Sequence, residues 1–514
     1  MTADGDEPKG PPGKATGRNR GGGRLEKSDE GVVPTNPAKA HAEQGEGRPE
    51  TEGNLLQPTR DEAQHSSDVS SGLERIRAAA QKEGQGRFTS LMHHITVGML
   101  QDAYEALNRH AKPGIDAVTW HAYGEQLDAN LCDLHQRVQS GSYRAQPSKR
   151  AWIPKPDGRR RPLGIAALED KVVQMAAVWI LSAIYEQEFA GFSYGFRPGR
   201  SQHAALDALW VGITRRKVSW ILDADIQSFF DTIDHGWMMK FLEHHVADPR
   251  MLRLIRKWLR AGVSEDGEWS KTTVGTPQGA VISPLLANIY LHHVYDLWVK
   301  WWRSHRAEGD VIVVRYADDT VVGFERRKEA EAFLHDLRVR LAKFGLKLHP
   351  EKTRLIEFGR FAQANRKKRG DGPPETFNFL GFMHRCAARR SDGGFTVARE
   401  TMGKRLTATV KEVRVEMMGR RHEATSHVGK WLMSVARGYY QYFAVPGNLQ
   451  ALWLFRSLIG KAWHQALCRR SQRGYVSWAN MSRLINTWLP RPAVLHPYPD
   501  QRLRVSTLWG SRMR

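Results

Sequence analysis

Two adjacent aspartates, Asp318 and Asp319, lie between two apolar runs in the stretch VIVVRYADDTVVGF, residues 311–324. Carboxylates are costly to place among apolar neighbours unless a partner compensates their charge. Neighbouring side chains in a strand point to opposite faces, so both aspartates can serve one site only at a turn. The pattern therefore predicts a β-hairpin with both carboxylates at its tip, and a polar tip exposed to water remains the alternative.

A third acid, Asp225, follows another apolar stretch upstream. If the two strand regions pair, Asp225 and Asp318 face each other at the ends of neighbouring strands. Carboxylates this close repel one another unless cations lie between them. Mg²⁺ binds carboxylates together with substrate phosphates, and a pair of such ions assists phosphoryl transfer. The nearby Asp223 is expected to be structural, and Asp231 is expected to cap the following helix together with Asp234.

The composition indicates a polyanionic partner. The chain has 514 residues, with 77 Lys and Arg against 55 Asp and Glu, which gives a formal charge of +22. An excess this large favours nucleic acid binding. The three cysteines have no pairing or zinc-site spacing, the N-terminus lacks the apolar core of a signal peptide, and the longest apolar run is too short for a bilayer. We therefore expect a cytoplasmic protein with no membrane partner.

The order of elements predicts an α+β core. Helical patterns come first, a mixed block of strands and helices follows, and mainly helical patterns with frequent Trp and Arg run from about residue 397 to the end. Residues 1–80 are rich in Gly, Pro, Glu, Lys and Ser and predict a disordered basic leader. An RNA-contacting arm and a passive tail are both compatible with this composition.

Several motifs in a fixed order resemble a known family. Tyr316-Ala317-Asp318-Asp319, with DADIQSFF and GTPQGAVISPLLANIYL upstream, resembles the reverse transcriptases of the bacterial group II intron type. The stretches IPKPDGRRRPLGI and YGFRPGRSQHAAL are similar to the fingers motifs of that family, and GLKLHPEKT and FNFLGF are similar to its later palm motifs. WLMSVARGYYQYFAVPGN resembles the intron maturase domain, or domain X, which forms the thumb.

The resemblance covers about residues 90 to 514 and implies a right-hand polymerase fold. It implies fingers and a palm with an antiparallel sheet, followed by an all-α thumb. The expected boundaries are a leader at 1–80, fingers at 86–215, palm at 216–392, thumb and maturase domain X at 397–470, and a basic C-terminal segment with possible nucleic-acid binding at 471–514.

The resemblance also implies roles for individual residues. Asp225 and Asp318 would bind two Mg²⁺ ions, Asp319 would be a looser ligand, and the backbone of Ile226 would complete the metal site. The expected nucleotide contacts are Lys155, Arg161, Phe230, Gln278, Gly279 and Ala317. Core packing is the alternative for Phe230, a turn for Gly279, and a surface charge for the weaker candidate Lys171.

RNA contacts are expected in the thumb. The candidates are Arg437, Tyr439, Tyr440 and Tyr442, because basic and aromatic groups bind phosphates and stack on bases. Packing alone is the alternative for about half of these aromatic residues.

The resemblance implies an RNA-directed DNA polymerase that binds its group II intron RNA, assists splicing and supports intron mobility by reverse transcription. Its partners would be the intron RNA, an RNA template, a DNA primer, dNTPs and target DNA. No C-x-x-C pair follows the thumb, so no endonuclease domain is expected. A domesticated reverse transcriptase in defence or diversification and a non-catalytic RNA-binding splicing factor remain alternatives. The sequence leaves the intron subclass, target site, fidelity, processivity and oligomeric state open.

Overall fold

The fold combines helices with three β-sheets. The computed structural model describes residues 60–82, 86–154, 160–265, 268–270, 272, 274–277, 279–389, 391–471 and 474–502. Within these residues, no helix is long and apolar enough to cross a membrane.

The elements follow one another along the chain in three groups. The first group contains α1 (Arg60–Lys82), α2 (Val97–Ala106), α3 (Trp120–Gly124), α4 (Leu127–Ser140), β1 (Ser148–Pro154), β2 (Arg160–Ile165), α5 (Leu168–Tyr185) and α6 (Gln202–Arg215). The second contains β3 (Trp220–Asp225), α7 (Phe229–Thr232), α8 (His235–Leu242), α9 (Pro249–Arg260), β4 (Val263–Glu265), β5 (Glu268–Ser270), α10 (Ser283–Leu291), α11 (Leu297–His305), β6 (Val311–Tyr316), β7 (Asp319–Phe324), α12 (Arg327–Ala342), β8 (Arg354–Glu357) and α13 (Ala362–Arg369). The third contains β9 (Phe377–Phe379), β10 (Phe382–Ala388), β11 (Phe395–Thr401), α14 (Gly403–Gly419), α15 (Thr425–Phe443), α16 (Leu449–Cys468), α17 (Trp478–Trp488) and α18 (Pro499–Arg502).

Strand pairing defines the three sheets. The strand orders are β2-β1-β4-β5, β6-β7-β3-β8 and β11-β10-β9. The second sheet is antiparallel throughout and contains both stretches that carry the candidate carboxylates. Strands β1 and β2 pair in antiparallel register, and residues 155–159 between them lie outside the described residues.

The central sheet is covered on both faces, which explains its continuous apolar runs. Along β6, Val311 and Val313 belong to one hydrophobic cluster, which includes α2, α5, α8 and α9. Ile312 and Val314 belong to a second cluster, which includes α6, β9–β11 and the helices α14–α17. Because successive strand residues alternate between faces, a strand buried on both faces needs apolar residues at every position.

The prediction that residues 1–80 form a disordered leader is wrong for the last part of that range. Helix α1 covers residues 60–82, and its apolar residues Leu73, Ile76 and Ala80 lie at helical spacing. Ile76 is buried in the first cluster and α1 packs against α5. Isolated apolar positions in a polar stretch therefore gain enough burial to order this part of the chain. Residues 1–59 lie outside the described residues.

One expectation near the C-terminal part also needs correction. The helical region begins at Gly403 rather than near residue 397, because residues 395–401 form β11. The basic C-terminal segment packs against the rest of the chain over its described residues 474–502. Its α17 contacts α15 and α16, and Arg502 donates to the buried carboxylate of Asp207 at 2.5 Å.

Candidate active site

The hairpin and β3 bring the predicted carboxylates together. Strand β3 pairs with β7 in antiparallel register, with Asp225 opposite Asp319. Asp318 occupies the turn immediately before β7. The prediction that the two regions pair is confirmed, but the residue in register with Asp225 is Asp319 rather than Asp318. The turn lets both aspartates of the hairpin lie at the same edge of the sheet.

The backbone on both sides of the site adopts conformations that non-glycine residues rarely take. Ala317, in the hairpin turn, has a φ of 55°, and Ser228, just after β3, has a φ of 48°. Left-handed backbone at a non-glycine residue costs about 1–3 kcal/mol and persists only when the surroundings fix it. The small side chain of Ala317 is buried, so a larger residue would have no room in this turn.

The backbone at Gly195 packs closely against the backbone of the turn between β6 and β7. A Cβ atom added to Gly195 would lie 2.3 Å from the backbone nitrogen of Ala317. The Asn288 side chain fixes the same segment because its Nδ2 donates to the Gly195 carbonyl at 2.7 Å. The segment containing Gly195 therefore supports the carboxylate turn only while position 195 has no side chain.

A buried ion pair fixes the strand end that leads into the turn. The Arg315 guanidinium donates to both carboxylate oxygens of Asp296, at 2.8 and 2.6 Å, and both side chains are almost completely buried. Arg315 also donates to the Ala317 carbonyl at 2.9 Å and to the Asn288 side-chain oxygen at 3.1 Å. Asp296 ends a π-helical segment, His292–Asp296, that joins α10 to α11. One guanidinium thus connects this segment to the turn that contains Asp318.

The clustered carboxylates influence one another's protonation. Loss of hydration is the largest cause that raises the pKa of Asp319 to about 7, and the charges of Asp318 and Asp225 follow. Asp319 keeps contact with solvent at the sheet edge, where the negative charges of Asp318 and Asp225 disfavour its ionised form. Burial likewise raises the pKa of Asp223 to about 6. A cation bound between these groups would relieve the repulsion.

A lysine already provides one positive charge at this edge. Lys352 Nζ lies 2.5 Å from Asp225 Oδ2. The chain on either side of Ile226 is held by two backbone bonds, from Gln227 N to Lys347 O and from His349 N to Asp225 O, each 2.8 Å long. Across the described ranges, no three His, Cys, Asp or Glu side chains are arranged so that they could hold a metal ion as they stand.

Some predicted nucleotide contacts can be located and others cannot. Phe230 is half-buried and follows Asp225 by five positions, whereas its neighbour Phe229 is buried in the core. The centroids of the two rings are 5.5 Å apart. Gly279 has a φ of 109°, and a Cβ there would lie 2.8 Å from the Gly164 carbonyl of β2. The glycine is therefore required by the close approach of its loop to the strand.

Three further nucleotide candidates remain predictions. Lys155 and Gln278 lie outside the described residues, and only the backbone of Arg161, in β2, is described. Lys171 donates to the Lys112 carbonyl at 3.0 Å, which indicates that it supports a neighbouring loop.

The predicted RNA contacts of the thumb are wrong for two tyrosines. Tyr439 and Tyr440 are buried, and the Tyr439 ring stacks on Phe455 at 3.8 Å. Their rings therefore contribute to the second hydrophobic cluster and are closed to RNA bases. Tyr442 is half-buried and donates to the Leu380 carbonyl at 2.8 Å, whereas Arg437 is exposed.

The residues that support the turn were missed by sequence reasoning. Arg315 and Asp296 lie 19 positions apart, and Lys352 follows much later in the chain. One signal was present, because a single Arg inside the apolar run VIVVRYADD requires a buried partner. The sequence does not say which acid provides it.

Comparisons with known proteins agree with this geometry. Residues 153–384 match the family described as reverse transcriptase (RNA-dependent DNA polymerase). Protein YkfC of Escherichia coli K12 is 34% identical over 275 residues, which cover 47% of this chain and 72% of that protein. The group II intron-encoded protein LtrA of Lactococcus lactis subsp. cremoris is 37% identical over 230 residues. The chain belongs to the family of group II intron-encoded reverse transcriptases and maturases.

The alignments with two longer relatives cover only part of each protein. The alignment with LtrA covers 43% of this chain and 37% of LtrA. The putative COX1/OXI3 intron 1 protein of Saccharomyces cerevisiae is 29% identical over 310 residues, which cover 50% of this chain and 36% of that protein. The chain thus spans little more than a third of the length of these two relatives. The family match covers β3 and the β6–β7 hairpin, so all three predicted carboxylates lie in the reverse transcriptase domain.

Proposed function

We propose that this chain copies RNA into DNA at the carboxylate edge of the β6-β7-β3-β8 sheet. The observation that carries the proposal is the meeting of Asp225, Asp318 and Asp319 at one edge, within a segment that matches the reverse transcriptase family. The central antiparallel sheet would be the palm of a right-hand polymerase, with the β2-β1-β4-β5 sheet and its helices as fingers. Helices α14–α17 would be the thumb.

The carboxylates have the chemistry of a magnesium site. Their oxygen atoms are the ligands that Mg²⁺ prefers, and their mutual repulsion favours a bound cation. Asp225 and Asp318 would be the main ligands, with Asp319 and the Ile226 backbone completing the site. Two bound Mg²⁺ ions would polarise the primer 3′-hydroxyl and stabilise the charge of the departing pyrophosphate. Asp225 would then exchange its contact with Lys352 for a metal contact.

The protein's own contribution would be positioning. The Arg315–Asp296 pair and the close packing of Gly195 fix the hairpin turn, so the carboxylates need little rearrangement when substrates bind. Phe230 would lie against the sugar of the incoming nucleotide and disfavour a 2′-hydroxyl. The loop at Gly279, held against β2, would shape the pocket for the template base, with Lys155, Arg161, Gln278 and Ala317 as further contacts.

We further propose that the chain binds group II intron RNA and assists splicing. LtrA is by name a group II intron-encoded protein, and another relative is named nuclear intron maturase 2. The strong positive charge of the chain and exposed cations such as Arg437 suit an RNA partner. The splicing chemistry would belong to the RNA, and the protein would stabilise its folded state and later copy it during intron mobility.

Two experiments test these proposals separately. Primer extension on an RNA template with Mg²⁺ should give cDNA with the wild-type protein and none with Asp318→Asn. Absence of cDNA from the wild type would contradict the polymerase proposal. Self-splicing of the intron RNA at low Mg²⁺ should be accelerated by the wild type and equally by Asp318→Asn. An unchanged splicing rate in the presence of protein would contradict the maturase proposal.

A further inference from the structure

A basic groove lies outside the carboxylate site, between α9, the loop before β1 and strand β5. Its volume is about 570 Å³, and the charged and aromatic residues that line it are Arg144, Arg253, Arg256, Lys257, Arg260 and Trp269. Among the described residues, no acidic side chain lines the groove, and none of these five cations forms an ion pair. The groove is therefore a concentrated positive surface without internal compensation.

The amphipathic pattern of α9 produces one wall of the groove. Apolar residues such as Leu254 and Trp258 face the core, while four of the five basic residues of the helix occupy positions 253, 256, 257 and 260. This i, i+3, i+4, i+7 spacing places them on one helix face. From residue 253 to residue 260 the helix rises by about 10 Å, which allows contacts with successive phosphates of an extended strand.

Lys257 fixes the opposite wall. Its Nζ donates to the carbonyl oxygens of Gly141 and Tyr143, at 2.9 and 2.5 Å, immediately before Arg144. Burial, and after it the positive charges of Arg253 and Arg144, lower the pKa of Lys257. Lys257 thus holds the loop in place, and the arginines around it crowd positive charge into the groove.

Trp269 provides a flat apolar surface at the groove edge. The side chain is 57% exposed, and its Nε1 donates to the Ala261 carbonyl at 3.1 Å. The indole also packs against Gly262, where an added Cβ would lie 2.6 Å from Nε1. The ring is therefore held in one orientation while much of its surface stays open, which is the arrangement of a base-stacking platform.

We propose that this groove binds a single-stranded segment of nucleic acid, with phosphates on the arginines and one base on Trp269. The volume suits about one or two nucleotides. Stacking on Trp269 requires an unpaired base. The inference rests on the proposed function, because a chain that copies and binds RNA meets single strands outside the primer–template duplex.

Binding of a short single-stranded RNA to the full-length protein, measured by fluorescence anisotropy over a salt series, tests the proposal. The double variant Arg253→Gln/Arg260→Gln should reduce the slope of log affinity against log salt by about 1.4, because each lost phosphate contact contributes about 0.7 for a single strand. Lys328→Gln/Arg338→Gln removes the same charge from exposed positions of α12 and should leave the slope unchanged.

A second variant tests the stacking contact. Trp269→Ala should weaken RNA binding by roughly fivefold or more, while Trp269→Phe should retain most of the affinity and neither change should alter binding of heparin, a polyanion without bases. Thermal unfolding of every variant should match that of the wild type.

Equal salt slopes for the α9 and α12 variants would overturn the groove as a binding site. Equal RNA affinity of wild type and Trp269→Ala would overturn the stacking contact. Primer extension by the wild type is a separate measurement, so its absence would contradict the polymerase proposal without deciding the role of the groove.

Discussion

Two adjacent phenylalanines in α7, just after β3, occupy different environments. Phe229 is buried, whereas Phe230 is half-buried and follows Asp225 by five positions. The backbone carbonyl of Phe230 accepts from Thr276 N at 2.8 Å, which ties this turn to the loop that contains Gly279. The Phe230 ring is therefore partly open to solvent, while Phe229 contributes to the core.

We expect Phe230→Ala to increase the use of ribonucleotides. Removing the ring should raise the ratio of kcat/KM for rNTP to that for dNTP by at least about tenfold, because a steric barrier near the 2′ position is lost. Single-nucleotide incorporation with both substrates measures this ratio. Phe229→Leu is the matched control, and it should lower thermal stability and leave the ratio unchanged. An unchanged ratio in Phe230→Ala would assign Phe230 to packing.

The turn between β6 and β7 depends on elements that are remote in sequence. The ion pair between Arg315 and Asp296 links it to the junction of α10 and α11, and the Gly195 segment supports it from another direction. Because Arg315 also donates to the Ala317 carbonyl, we regard it as a positioning residue.

Breaking the ion pair should reduce both stability and turnover. Asp296→Asn leaves the buried Arg315 charge uncompensated and should lower the free energy of unfolding by about 3–5 kcal/mol. Arg315→Met/Asp296→Met removes both charges, so it should recover much of the stability but not kcat, since Met cannot donate to Ala317 O. Denaturant unfolding and steady-state kinetics measure the two quantities. Wild-type kcat in the double variant would contradict the positioning role.

A methyl group at position 195 should displace the turn. Gly195→Ala places a Cβ within 2.3 Å of the Ala317 backbone nitrogen, and backbone cannot move aside cheaply. We expect kcat to fall by about a hundredfold, as for other small displacements of reacting groups. Gly403→Ala is the control because nothing lies within 4 Å of its added Cβ. Equal activity of both variants would show that the turn tolerates the shift.

The sequence predicts the residues that could do chemistry better than it predicts the residues that pack around them. The carboxylates and the β-hairpin could be predicted because residue type, apolar patterning and motif order all indicate them. Tyr439 and Tyr440 could not be assigned correctly, since an aromatic side chain suits both a core and an RNA surface. The Arg315 partner and the Lys352 contact depend on long-range folding, which local spacing does not determine.

In the whole molecule, the two hydrophobic clusters pack on opposite faces of the central sheet. Several histidine side chains are partly or completely buried in the fold. His384 is completely buried and stacks on Phe377 at 4.7 Å. Burial, and then the positive charge of Arg399, lower the pKa of His384 to about 3. Burial is also the largest cause that lowers the pKa of His203 and His293 to about 3.

These histidines should make the protein less stable in mild acid. Since their pKa values lie below 6.5 in the folded state, the unfolded chain binds more protons once the pH falls below about 6.5. Each group then removes up to about 1.4 kcal/mol per pH unit until its folded pKa is reached. The raised pKa values of Asp319 and Asp223 act in the opposite direction over the same range, but the three histidines outnumber them. The midpoint of thermal unfolding, measured from pH 7 to pH 5, should therefore decrease.

His384→Phe should reduce this pH dependence, because it removes one of the buried groups and keeps a ring against Phe377. His335→Gln, at an exposed position of α12, should leave the dependence as it is in the wild type. A pH dependence that is identical in both variants would contradict the contribution of His384.

We propose that Asp225, Asp318 and Asp319 form one metal-dependent site in which their roles are unequal. Single-turnover incorporation of one dNTP on an RNA template, measured as a function of Mg²⁺ concentration, distinguishes these roles. Asp225→Asn and Asp318→Asn should be slower than wild type by at least roughly a thousandfold at saturating Mg²⁺, and Asp319→Asn by only about tenfold. Rates within tenfold of wild type for Asp225→Asn or Asp318→Asn would contradict a metal site that depends on these two carboxylates.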